Sequence, residues 1–588
     1  MSSKWLTRIF ALLLVLAGLG LIVLAGLPYD SLKAFFDSLK SNSNFKSLMP
    51  GNAIVFRAWF GGLGALSVLL AVGLAFFKEQ TRQLAAHLRR IFTDARPFFA
   101  SLRSQPSDRA WLGLLGFITL IGIFIRLRLI SQPFDHDEAY TYVAFASGSL
   151  RTTITDYHLI NNHVFHNILL NLVTHLFGNA PWVVRLPAFT AAILCIPAAY
   201  ALAEKMYRRK EIAVLSALLV AWIPVLGQYA ANARGYTLVT LFTLLSAWLG
   251  HYLRQEKNLF GWALLALISA LGFYTVPVMI YPFGALFAWL FFTNLLEVPR
   301  PYSSRWNFLL YWFLAGISAA LLTLIFYTPI FIYSGPASFF ANSFVVALDP
   351  STYYQTLHIR LVSTWVEWLT RLPPALTITL IVGFLLSLVF HRKLSSARVP
   401  LQLVTFLWIA FVIVLRKPEA WSKYWLFLIP LLMIWAAAGL IFLLDLIRLP
   451  LPRALTVTRI ALGIAVLAVL VPAVQVAVHL PDYLVEKGEV ELATIYLSQQ
   501  VQSDDVIVIT SPLDASMWYY STRYGIPQTD YNDRTTFNDI WVIVDLSRNQ
   551  TLDAALQDRG PAPALYDKSA ARLITTIGSL GIYKISHH

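Results

Sequence analysis

PFDHDEAYTYVAF, from Pro133 to Phe145, is the stretch on which the reading of this chain turns. It follows directly on an apolar run from Trp111 to Ile130. At 1.5 Å per helical residue that run is long enough to cross a hydrocarbon core of about 30 Å. Asp135, Asp137 and Glu138 therefore stand at a membrane boundary, where carboxylates are costly unless they have a partner or a task. A second polar cluster, YHLINNHVFHN, follows from Tyr157 to Asn167. The rest of the chain is mostly apolar helix, so the loop from Pro133 to Trp182 is where chemistry is expected.

Working outward, the composition sets the class. The 588 residues are 57% hydrophobic and 13% charged, with a mean hydropathy of +0.63. A soluble domain could not cover that much apolar surface, so the chain reads as a polytopic α-helical membrane protein. Its net charge of +14 does not call for nucleic acid. Lys and Arg collect in the cytoplasmic loops of membrane proteins. The single cysteine, Cys195, excludes an internal disulfide and any multi-cysteine metal site.

Apolar runs from Ile9 to Leu27, Ala53 to Phe77 and Trp111 to Ile130 are followed by others near 183–203, 212–226, 236–253, 259–275, 278–296, 307–327, 374–391, 401–415, 424–443 and 459–479, about 13 spans in all. With the N-terminus inside, basic stretches such as KMYRRK (205–210), HRKLSSAR (391–398) and Arg448, Arg453 and Arg459 fall on the cytoplasmic side. The basic segment between Lys78 and Arg109 reads as a cytoplasmic amphipathic helix on anionic lipid. From about Pro481 the composition changes. VIVIT (506–510), IWVIVDL (540–546) and LGIYKIS (580–586) read as strands, and Glu489–Gln500 and Leu552–Arg559 as helices. The expected division is 1–110 for two extra N-terminal helices with a basic segment, 111–480 for the membrane core, and 481–588 for a small extracytoplasmic α/β domain that caps or supports the outer face.

Within the acidic loop, Asp135 followed by Glu138 three residues later fits a capping box. That leaves Asp137 as the carboxylate without a local structural role. Asp135 and Asp137 also form an Asp-x-Asp triplet, a spacing that can hold a divalent cation. In the second cluster His163, Asn167, Asn171 and His175 recur every four residues, with apolar residues filling the other face. This is an amphipathic helix with its oily side in lipid and its polar side toward the loop. Asn162 and His163, at its start, are the candidates for substrate contact.

DHDEAY after an outward span, NNHVFHNILL on an interfacial helix, GNAPWVVRLPA entering the next span and SKYWLFLIP at Ser422–Pro430 together resemble the GT-C membrane glycosyltransferases. The match is to the protein O-mannosyltransferase-like branch, which includes the aminoarabinose transferase acting on lipid A. It covers roughly Trp111 to Leu480. Where many relatives carry a Pro-Pro-Leu-like sequence, this chain has NNHVF. The resemblance implies a sugar transferred from a polyprenyl-phosphate donor to a lipid, glycan or protein acceptor at the extracytoplasmic face of the plasma or inner membrane. It implies Asp137, with Glu138 next, at the catalytic acidic position. Arg234 and Lys423 would meet the lipid phosphate, and Tyr236, Tyr424 and Asp135 would line the substrate. Arg360 and His358, in the outer loop Thr328–Leu372, are weaker candidates. A transporter or lipid-linked-sugar flippase would share the many spans, but it should show internal repeats and polar breaks near the midplane. Neither is visible here.

Overall fold

The computed structural model describes residues 3–38, 50–76, 78–103, 109–297, 301–340, 347–369, 372–419, 421–446, 488–526 and 536–586. The expected span near 459–479, the basic Arg448, Arg453 and Arg459, and the boundary at 480/481 lie outside them. Each of the other expected runs coincides with a helix or a helix pair. Seven described helices are long and apolar enough to cross a membrane by themselves. The number rises to ten when bent pairs count as single spans. Leu259–Thr275 and Leu401–Arg416 are shorter apolar helices.

The N-terminal pair packs closely. A Cβ on Gly18 would stand 2.8 Å from the Gly64 carbonyl oxygen, so only glycine lets Ser3–Gly26 and Pro50–Phe76 approach this far. The basic segment is a helix, Lys78–Arg103, that docks on protein. Asp94 accepts from Leu259 N–H at 2.8 Å, and Phe98 packs edge-on against Tyr252 and Phe260.

One break positions the site. Pro224 cannot donate a helical N–H, and the chain bends by 58° between Lys210–Trp222 and Pro224–Ala230. The carbonyls freed at the first helix end are met by Arg126, fully buried in Arg109–Leu127. Its guanidinium donates to Ala221 O at 2.6 Å and Val220 O at 2.9 Å. A cation at a helix C-terminus is the favourable sign there. The bend delivers the 231–235 turn, with Arg234, to the end of the bundle.

The C-terminal unit is a four-stranded sheet, ordered β1 (Val506–Ile509), β2 (Asp539–Asp545), β4 (Leu580–Ser586), β3 (Arg572–Ile577). β1 and β2 pair in parallel and the other pairs are antiparallel. The three strands and two helices expected from the sequence are all present. β3, an edge strand with a mostly exposed pattern, and the helix Asp514–Tyr524 were not anticipated. That helix packs on the acidic loop.

Candidate active site

The acidic loop begins with Asp135 as N-cap of a short helix, His136–Tyr140, which runs into a π-helical turn, Thr141–Ala146. Asp135 N–H donates to Glu138 Oε1 at 3.1 Å, the return half of a capping box. This turn points its two neighbouring carboxylates in different directions.

Glu138 goes inward and is 1% exposed. Arg185, from Pro181–Tyr207, donates through Nε to Glu138 Oε2 at 3.1 Å and through Nη2 to Oε1, and Ala233 N–H adds 3.0 Å to Oε2. The same guanidinium holds the carbonyls of Ile130 (2.7 Å), Gln132 (2.6 Å) and Pro133 (3.2 Å), and lies over the Phe134 ring. Glu138 therefore has no free lone pair toward a substrate. Glu138, second among the catalytic candidates from the sequence, here ties the loop to the bundle.

Asp137 goes outward. Its Oδ2 accepts from Lys423 Nζ at 2.8 Å and from Arg234 Nη1. Its Oδ1 has a long contact to Asn161 Nδ2 at 3.4 Å and lies 3.8 Å from His136 Nδ1. Burial opposes ionisation of Asp137, but His136, Arg234 and Lys423 outweigh it and hold the carboxyl well below the usual range. Burial lowers the Lys423 ammonium despite Asp137.

These groups open on a cavity of about 210 Å³. Asp135, Asp137, Arg234, Tyr236 and Lys423, each a candidate from the sequence, line it. Gln228, Tyr229, Asn232 and Glu367, which the sequence reading missed, complete it. Glu367, on Pro350–Leu369, accepts from Tyr229 Oη at 2.9 Å and from Ser422 Oγ, beside Lys423. An acid within the tryptophan-flanked TWVEWL was the signal available for it.

Other candidates fall one step away. Asn162 is 1% exposed and spends its amide on Thr153 O (2.9 Å) and Asp156 O (2.6 Å). Asn162, a candidate for substrate contact from the sequence, thus faces the protein, and its neighbour Asn161 faces Arg234, its Oδ1 accepting from Arg234 Nη2 at 3.3 Å. His163 is buried, and its Nδ1 accepts from Gly235 N–H at 2.9 Å. Burial and the nearby Arg234 keep it neutral. It therefore shapes the Arg234 turn, where a Cβ on Gly235 would collide with Thr275 at 2.5 Å. Tyr424 packs its ring against Tyr236 rather than lining the cavity. Arg360 stands 4.0 Å from Glu419, also outside the lining. The helix Val164–Phe177 is amphipathic as expected. Asn167 and Asn171 are buried, while Leu172 and Leu176 are exposed.

A divalent cation does not fit at Asp135 and Asp137. Two positive side chains already occupy Asp137 Oδ2, and no group of three His, Cys, Asp or Glu side chains able to hold a metal occurs among the described residues.

Comparison with known structures turns this geometry into a family fold. The apo crystal structure of ArnT from Cupriavidus metallidurans superposes with a TM-score of 0.50, at 13% identity over 81% of this chain and 98% of ArnT. The fold is GT-C. ArnT from the same organism bound to undecaprenyl phosphate gives 0.46, at 13% identity and the same coverage of 81% and 98%. The oligosaccharyltransferase AglB from Archaeoglobus fulgidus, in complex with an inhibitory peptide and a dolichol-phosphate, gives 0.45, at 12% identity over 82% of this chain and 74% of AglB. Residues 163–322 match the family described as dolichyl-phosphate-mannose-protein mannosyltransferase. No curated protein sequence matches. The GT-C match agrees with the resemblance carried by DHDEAY, NNHVFHNILL and SKYWLFLIP, and it makes the chain a multi-pass membrane protein.

Proposed function

We propose that this protein is a glycosyltransferase that takes a sugar from a polyprenyl-phosphate donor and transfers it to a lipid, glycan or protein acceptor at the extracytoplasmic face of the cell membrane. The observation that carries the reading is one carboxylate, Asp137, held by two cations, Arg234 and Lys423, in a cavity of a GT-C bundle. The matched family's description supplies the donor class.

Paired with Arg234 and Lys423, Asp137 neutralises them and is too acidic to serve as a base. A donor phosphate presents the same charge with more oxygens, so it takes Arg234 and Lys423 for itself. Asp137 then loses two of its three counter-charges and keeps His136, and its pKa rises toward that of a useful base. The acceptor O–H or N–H attacks the anomeric carbon, and the carbon–oxygen bond to phosphate breaks. The electron pair leaves on the lipid phosphate, against Arg234 and Lys423. The acceptor's proton passes to Asp137 Oδ1, the oxygen that Arg234 and Lys423 leave uncovered. Tyr236, with Arg234 stacked 5.4 Å from its ring, sets the direction of that guanidinium.

The test is transfer by the purified full chain in liposomes. Donors are undecaprenyl phosphates carrying radiolabelled mannose, glucose or aminoarabinose, with cell-envelope protein, glycan and lipid fractions as acceptors. The reading expects release of undecaprenyl phosphate with the label moved to one fraction. Labelled donor that crosses the bilayer without losing its sugar would instead indicate a flippase. For sidedness, single cysteines at Ser149 and Ser569, both exposed, should react together with a membrane-impermeant maleimide in intact cells. Labelling of only one would break the assignment.

A further inference from the structure

The segment Pro133–Glu138 is gripped from two sides. The membrane bundle takes Asp137 through Arg234 and Lys423, and Glu138 through Arg185. The sheet domain takes Phe134 and His136. Phe134 N–H donates to Tyr520 Oη at 3.2 Å, Ser516 Oγ donates to Phe134 O at 3.2 Å, and the Phe134 ring stacks on Tyr519 with centroids 4.0 Å apart. His136 Nε2 stands 3.1 Å from Asp514 Oδ1. All four partners lie on one helix, Asp514–Tyr524.

We propose that Asp514 is a positioning residue for the transfer reaction: through His136 it orients the Asp137 carboxylate, so that the sheet domain completes the site instead of merely covering it. The inference rests on the role given to Asp137 above. The His136 ring lies between two carboxylates, with Nε2 toward Asp514 and Nδ1 3.8 Å from Asp137 Oδ1. That oxygen matters because Arg234 and Lys423 occupy Oδ2, which leaves Oδ1 for the acceptor. The flanking carboxylates push His136 up to about 9, so both ring nitrogens carry protons at neutral pH and each faces an acceptor. Asp514 is itself fixed, by Ala515 N–H at 3.0 Å and by Arg559 at 3.7 Å from Oδ2. Without Asp514 the imidazole keeps its stacking on Tyr140 but loses the partner that fixes Nε2, and with it the aim of Nδ1 at Oδ1.

The test uses the full chain and whichever labelled donor the parent protein consumes. Asp514→Asn, Asp514→Glu, His136→Gln and the double variant His136→Gln/Asp514→Asn are compared for kcat, donor KM and melting temperature. Ser516→Ala serves as a control that weakens the docking without touching His136. Misplacing a reacting group by about 1 Å can cost roughly a hundredfold in rate. The expectation is therefore a fall in kcat of about tenfold or more in Asp514→Asn, with KM and melting temperature near parental values and partial recovery in Asp514→Glu. The double variant should be no slower than His136→Gln alone, and Ser516→Ala should keep the parental kcat. An unchanged kcat in Asp514→Asn, or a loss that adds independently to that of His136→Gln, overturns the inference. So does a rate loss in Asp514→Asn and Ser516→Ala that follows melting temperature alike. If the parent protein itself transfers no sugar, the functional reading fails first and takes the inference with it.

Discussion

Asp137 and Glu138 are consecutive residues of one helical turn, each paired with arginine, yet their surroundings differ in kind. Around Glu138 both members of the pair are fully buried, and every carboxylate oxygen and most guanidinium nitrogens are spoken for by the protein. Around Asp137 the carboxylate is 30% exposed, two cations crowd one oxygen, and the other oxygen has only long contacts. A charge pair with nothing left to offer serves as a fastener. A pair with surplus cation and an uncovered oxygen is set up to exchange partners with an incoming phosphate. The contrast shows that the chemical role of a carboxylate follows from what remains unsatisfied around it, not from residue type or position in a motif.

Breaking the fastener should give the largest effect on stability. Glu138→Gln or Arg185→Met leaves one buried charge unpaired, and such losses run to about 3–5 kcal/mol. Melting curves of the purified variants should show a collapse that the same kind of change at Asp137 does not. If Arg185→Met melts with the parent protein, the distinction between the two regions fails.

Removing a cation on the pocket side should instead act on the donor. Lys423→Ala forfeits a charge-assisted contact to phosphate, about 1.5–3 kcal/mol, or roughly ten- to a hundredfold weaker binding of undecaprenyl phosphate. Lys423→Arg should recover part of that by keeping the charge. Unchanged affinity in the Ala variant would remove Lys423 from the phosphate site.

A smaller effect should follow pH. The folded protein holds the His136 proton up to about pH 9, against an ordinary value of 6.5. The raised pKa means that its contribution is fully present below about pH 6.5 and is lost as pH rises through 9. For a partly exposed pair it amounts to about 1 kcal/mol or less. The melting-temperature gap between the parent protein and His136→Gln should therefore narrow between pH 6.5 and pH 10. A gap that stays constant would mean that His136 contributes only by packing.

How far the sequence reached follows the same division. The apolar runs, the strands β1, β2 and β4 and the amphipathic face of Val164–Phe177 were legible because each rests on a local period. Asp137 stood out because its neighbours fit a capping box, and Arg234 and Lys423 because the GT-C resemblance calls for cations to meet a lipid phosphate. What stayed hidden depends on contacts across long separations. Nothing near Glu138 announces that Arg185, 47 residues on, will saturate it. Asn161 and Asn162 are adjacent and identical, and only the fold decides which one faces Arg234. Glu367 enters the pocket from a helix whose other residues read as an aromatic belt. The helix Asp514–Tyr524, with several aromatic and β-branched or hydroxyl side chains, carries little helix signal until it is packed on the acidic loop.

The most direct measurement sets Asp137→Asn beside Asp135→Asn, each purified and scored for sugar transfer, melting temperature and undecaprenyl phosphate binding. Asn caps a helix about as well as Asp, so Asp135→Asn should melt close to the parent protein and leave the folded fraction largely active. Asp137→Asn should stay folded and bind undecaprenyl phosphate at least as tightly as the parent protein, because its cations are released. It should lose turnover by roughly 10²–10⁴-fold. Near-parental transfer by Asp137→Asn, with activity lost in Asp135→Asn instead, would contradict the account.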